Sequence, residues 1–222
     1  MSVEVEKESE VGKLVREVVE SHAEATHILP EGTKLYRCQP SRYDENPINY
    51  RANSDTRYAD PDQKVGVYYL GLSKTVAVAE SYQSGQGVDT QAVKLSTLEQ
   101  SSLHELVTVR PLTLIDVGPL ANRAKHLKLR HLVDAKGQGR EGYKETRELA
   151  KACMELGEDV DGVLYPSAVY TKSGSMASCN VVLFDGRMPQ VESVSFEAVL
   201  TAKLETDELA SEFLAASGVV IE

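Results

Sequence analysis

Apolar residues near the start of the chain recur at helical spacing. Val11, Leu14, Val15, Val18 and Val19 share one face and predict an amphipathic helix over roughly 10–23. Pro30, Glu31 and Gly32 make a turn, and TKLYRC (33–38) reads as a short strand with Arg37 at its end. Residues 39–65 are rich in Pro, Asn, Asp, Ser and Tyr and have no period. Long irregular stretches inside compact domains are usually functional or disordered. GVYYLG (66–71) has the continuous apolar character of a buried strand. It runs into a helix with Ser73 as N-cap and SKTVAVAESYQ as body.

Further strands are expected at 91–96 (QAVKLS), 105–109 (ELVTV), 112–116 (LTLID), 162–166 (GVLYP) and 179–185 (CNVVLFD). Helices are expected at 119–133 and at 143–156, the second ended by Gly157. The segment 191–222 reads as an acidic strand/helix tail, its helix starting at Thr206 and closing near Gly218. Strands and helices are interspersed irregularly, which favours α+β over a doubly wound sheet.

At 222 residues the chain is one domain, or one domain with terminal elaborations. The net charge of −10 is concentrated at the ends. Residues 1–20 carry 3 basic and 6 acidic side chains, and 191–222 carry 1 and 7. A general nucleic-acid binder needs a basic face, so direct nucleic-acid binding is not expected. No apolar run is long enough to span a bilayer, and the opening MSVEVEKESE lacks a signal-peptide pattern. Cys38, Cys153 and Cys179 are far apart and form no CxxC. A cytoplasmic protein is therefore expected. Gly137, Gly139 and Gly142 spell GxGxxG, but the segment before them is basic and helical in pattern, not a strand. His126 and His131 are five apart and fall on different sides of a helix, so no metal site is expected.

One constellation remains. Arg37, Arg51, Arg57 and Tyr69 precede Glu80, a lone carboxylate in the apolar turn TVAVAES. A charge on an apolar helix face is paired, functional or at a solvated edge, because isolated burial is costly. The residues alone leave those three options open.

LYRC (35–38), TRY (56–58), VYYLGLSKTVAVAE (67–80) and DGVLYPSA (161–168) together resemble the RES domain, named for an Arg, a Glu and a Ser. CNVVLFD is similar to the last core strand of that family, and the resemblance covers about 33–187. It implies an ADP-ribosyltransferase-like α+β fold, a mixed β-sheet core with surrounding helices. The division it suggests is a helical extension over 1–30, a catalytic domain over 31–190 and the tail over 191–222. The implied activity is that of a toxin from a toxin–antitoxin pair that degrades NAD⁺ at the nicotinamide–ribose bond, with water or phosphate as acceptor. NAD⁺ is then a substrate and no cofactor is needed. The implied partner is a helix-turn-helix antitoxin, and a homodimer is a further expectation. Related readings are a mono-ADP-ribosyltransferase and a non-catalytic binding module of the same fold.

Carried onto this chain, the pattern assigns catalysis to Glu80, Arg37 and Ser167. Dinucleotide binding falls to Arg37, Arg57, Tyr58 and Tyr69. The family's glycines before the second Arg are absent here, so Arg51 rivals Arg57. Guanidinium forks suit pyrophosphate, and a carboxylate suits the positive charge that develops on ribose as nicotinamide leaves. Tyr69 is expected to stack on nicotinamide, and Ser167 to serve either the nicotinamide end or Glu80.

Overall fold

The computed structural model describes residues 12–13, 15–17, 25–83, 92–123, 142–170 and 175–222. Of the helix expected over 10–23, residues 12–13 and 15–17 are helical and the rest lies outside the described residues. So do His126, His131, Gly137 and Gly139.

The strands are β1 (Thr26–Leu29), β2 (Lys34–Pro40), β3 (Val67–Gly71), β4 (Ser101–Thr108), β5 (Leu112–Asp116), β6 (Gly162–Pro166), β7 (Cys179–Phe184) and β8 (Val191–Ala198). They form one sheet in the order β1-β5-β6-β7-β3-β2-β4-β8. Within it only β5 and β6 are parallel. Beside the helical residues near the start, the described residues include α1 (Lys74–Tyr82), α2 (Leu95–Glu99), α3 (Val117–Arg123), α4 (Lys144–Glu155) and α5 (Ala210–Ala216). This is an α+β fold with a mixed sheet at its core.

β7 reads as an unbroken apolar run because both its faces are covered. Val182 and Phe184 pack with Val163, Tyr165 and the α3 and α4 residues Leu120, Leu149 and Cys153. Val181 and Leu183 face the other way, with Leu35, Tyr68, Leu70, Leu106 and Leu164. A third cluster joins Val78 of α1, Leu98 of α2, Leu103 of β4 and Leu214 of α5.

Several elements depart from the pattern-based expectation. β2 runs on to Pro40 because all seven of its residues pair with β4, so Arg37 lies inside the strand. β4 begins at Ser101, since its polar residues find partners. The Ser102 hydroxyl donates to Asp44 Oδ2 at 2.9 Å, and His104 Nε2 lies 2.9 Å from Asp44 Oδ1. Burial pushes the His104 imidazole below its ordinary value, although Asp44 opposes this. Of the strand expected at 91–96, the described residues 92–96 form none. Val93 makes a single bridge to Ile221, and Leu95–Glu99 turn as α2 to bury Leu98. The last helix starts at Ala210, four residues after Thr206, because a turn with Asp207 at φ +62° intervenes. It closes before Gly218 as expected, at φ +83°.

The placement of α1 governs the site. Ser73 caps it as expected, accepting from the Val76 N–H at 3.1 Å and donating to the Ala177 carbonyl at 2.6 Å. Gly71 lets the helix sit down on the sheet: a Cβ there would lie 2.9 Å from the Ala77 nitrogen and 3.1 Å from the Ser73 oxygen. The tail supplies a second cap. The Glu205 carboxylate accepts from the Lys74 N–H at 2.6 Å, the Thr75 N–H at 3.2 Å and the Thr75 hydroxyl at 2.6 Å. Lys74 Nζ also donates to Glu197 at 2.6 Å. Two of the tail's carboxylates thus anchor the start of α1, where negative charge is favoured by the helix dipole.

Partial desolvation pushes the Glu205 carboxyl up, but its hydrogen bonds outweigh this and hold it below the ordinary carboxylate range. A depressed carboxyl contributes stability above its unfolded value, and that contribution disappears as pH falls through its folded value. Glu205 is exposed, so screening limits the effect to about 0.5–1 kcal/mol. Glu205→Gln is expected to lose that amount in urea unfolding at pH 7. The gap from wild type should narrow below about pH 4.

Candidate active site

β2 and β3 are neighbours that share a single register pair, Tyr36 with Gly71. Away from that pair the two strands part, and the opening is the mouth of a cleft of about 440 Å³. Arg37 from β2 fills the gap. Its Nη1 donates to the Tyr69 carbonyl on β3 at 2.7 Å, and its guanidinium lies 4.9 Å from the centre of the Tyr68 ring. Burial, reinforced by the charge of Arg51, lowers the Arg37 guanidinium from its ordinary value. An arginine remains cationic under such a shift.

Tyr69 also holds the second arginine. Its phenol oxygen accepts from the Tyr58 N–H at 2.8 Å, which fixes the backbone beside Arg57. Burial pushes that phenol up to about 12. Tyr58 itself is fully buried beneath the cleft, its ring centre 4.7 Å from that of Tyr165. The Arg57 guanidinium lies 5.9 Å from the Tyr165 ring centre. The irregular segment is therefore ordered. The buried Asp60 carboxylate reinforces it by accepting from the N–H groups of Asp62, Lys64 and Val65. Both Arg37 Nε and Arg57 Nε are buried and have no hydrogen-bond partner among the described residues. The same holds for Arg110 and Arg147 Nε outside the cleft lining, so what suits an anion here is the presence of two guanidinium groups in one lining.

Glu80 reaches the same cleft from the last turn of α1. Its Oε1 accepts from the Ser167 hydroxyl at 2.7 Å and from Asn180 Nδ2 at 2.9 Å. Ser167 follows β6, is fully buried, and accepts from the Val169 and Tyr170 N–H groups at 3.2 and 3.0 Å. Of its two anticipated roles, the hydroxyl takes the one toward Glu80. Glu80 Oε2 accepts no hydrogen bond among the described residues.

The structure thus brings Arg37, Arg57, Tyr69 and Glu80 to one lining, with Ser167 behind Glu80 and Tyr58 beneath. Arg51 is exposed and outside the lining, its backbone bridged to Val67. Tyr165 and Asn180 also line the cleft and were missed from sequence. The available signal for Asn180 was an amide inside CNVVLF, since a polar group in a buried strand needs a partner. Among the described residues no cluster of His, Cys, Asp and Glu is placed to hold a metal ion, and no helix is long and apolar enough to cross a membrane.

No curated protein matches the sequence. A solved structure, that of the M. tuberculosis MbcT–MbcA toxin–antitoxin complex, contains a chain of similar fold. Its TM-score is 0.60 at 18% identity, over 95% of this chain and 98% of that one. The RES domain family model matches residues 34–206, and with most of its length inside that match the chain belongs to the RES domain family.

Proposed function

We propose that this protein cleaves the nicotinamide–ribose bond of NAD⁺ and serves as the toxin of a toxin–antitoxin pair. The observation that carries the reading is the pairing, in one cleft, of a carboxylate fixed at one oxygen with two arginines. The fold shared with a chain of a toxin–antitoxin complex supports the second half. The partner in this reading is an antitoxin, and its helix-turn-helix type rests on the family resemblance alone.

In this mechanism Arg37 and Arg57 bind the pyrophosphate oxygens and set the register of the dinucleotide. Tyr69 and Tyr165 offer aromatic surface to the nicotinamide ring. Cleavage of the C–N bond sends its electron pair to the pyridinium nitrogen, so nicotinamide leaves neutral and needs no proton. Positive charge grows on the ribose, and Glu80 Oε2 stabilises it. Water then adds and loses a proton to give ADP-ribose. Inorganic phosphate gives the 1″-phosphate ester.

Purified protein free of antitoxin is expected to release nicotinamide from NAD⁺, and product analysis with and without phosphate identifies the acceptor. Unchanged NAD⁺ would leave a binding module, and label transferred to a macromolecule would indicate an ADP-ribosyltransferase. Glu80→Gln should lower kcat by about 100-fold or more with the fold intact by circular dichroism. Near wild-type turnover would remove Glu80 from the chemistry.

Arg37→Lys should be nearly as damaging as Arg37→Ala, because an ammonium cannot both donate to the Tyr69 carbonyl and present a planar fork. Steady-state kinetics showing substantial rescue by Lys would reduce Arg37 to a general positive charge. In a bacterial host, expression of the chain alone should deplete intracellular NAD⁺ and arrest growth. Normal NAD⁺ alongside soluble, folded protein would count against the toxin reading.

A further inference from the structure

The two oxygens of Glu80 are not equivalent. Oε1 is held by donors from two different strands, the Ser167 hydroxyl just past β6 and the Asn180 amide on β7. Asn180 lies between Gly71 of β3 and Tyr165 of β6 in a single row across the sheet. At Gly71 α1 packs too close to the strand for a Cβ, so the row that admits the helix also carries the amide that meets its carboxylate. A carboxylate only accepts, so the amide must present its NH₂ group. Asn180 lines the cleft but is only 4% exposed, so little of it meets water and the carboxylate is its main side-chain partner.

Resting on the reading of Glu80 as the reacting carboxylate, we infer that Asn180 is a positioning residue for it: with Ser167 it saturates Oε1 and turns Oε2 toward the ribose. Ser167 alone would fix one hydrogen bond and leave the carboxylate free to pivot about it. Two donors from separate strands define both the position of Oε1 and the plane of the group. Asn180 touches Glu80 and not the reacting atoms, so its loss should act on kcat far more than on KM.

Asn180→Ala is expected to lower kcat about 10- to 100-fold with KM for NAD⁺ little changed. Asn180→Asp provides the sharper readout. Two carboxyl groups in hydrogen-bond contact share one proton near neutrality. Ser167 still donates to Glu80, so the proton resides on the introduced carboxyl group, which then donates to Oε1 as the amide did. Its kcat should therefore stay substantial at low pH and fall as pH rises, through a limb that wild type lacks. Wild-type kcat and pH profile in both variants would overturn the proposal. A crystal structure of the Asn180→Ala protein tests the positioning without any assay. A Glu80 carboxylate rotated from its wild-type plane supports it. An unmoved carboxylate overturns it, whether or not wild type cleaves NAD⁺. Inert wild-type protein with a displaced carboxylate in the variant would reject the NAD⁺ reading and keep the positioning.

Discussion

The parting of β2 from β3 is the constraint on which the site depends. A sheet that opens in its middle exposes backbone groups that a strand would otherwise satisfy, and buried carbonyls require partners. Here β2 answers with a side chain, the Arg37 guanidinium on the Tyr69 carbonyl. The same residue's phenol receives the Tyr58 N–H. Tyr69 therefore ties both arginines to β3, one through its main chain and one through its side chain. The cleft is open because the sheet is split, and the split is tolerated because Arg37 bridges it.

The opposite wall is built on different physics. α1 is a short helix with apolar residues on most sides, and it offers Glu80 at its far end. Its orientation is set by close approach at Gly71 and by caps from Ser73 and Glu205. Part of the tail's acidity thus serves a helix N-terminus at the surface, and not solubility alone. β8 joins the sheet beside β4, and α5 packs in the same cluster as α1. The tail is a structural partner of the Glu80 helix.

Legibility in the sequence followed the strength of local signals. GVYYLG, GVLYP and CNVVLFD were readable because buried strands leave unbroken apolar runs. Ser73 was readable because capping is local chemistry. QAVKLS misled because its alternation mimics a strand, while Leu98, just beyond it, set the helical register that prevailed. The first residues of β4 were hidden because Ser101 looks solvated until it meets the Thr97 carbonyl, and Ser102 and His104 until Asp44 arrives from the neighbouring segment. The same limit applied to the site. Motif order pointed to Arg37, Arg57, Tyr69, Glu80 and Ser167, but nothing in the order of residues showed that Tyr69 serves both arginines. Nor did it show that Asn180 meets Glu80. Those are contacts between distant segments, and only the sheet register brings them together.

The sequence separation of these contacts has a consequence for biosynthesis. The hydrogen bonds at the Glu80 carboxylate span 87 and 100 residues, and the Glu205 cap on Thr75 spans 130. No nascent fragment ending before Asn180 can complete the carboxylate's surroundings, and α1 gains its second cap only after Glu205 leaves the ribosome. At ordinary elongation rates that leaves roughly ten seconds between emergence of Glu80 and arrival of the last anchoring residue. Non-local pairing of this kind also slows folding itself. The ribosome producing the chain therefore works beside a polypeptide whose cleft stays unassembled until Asn180 and Glu205 have been made.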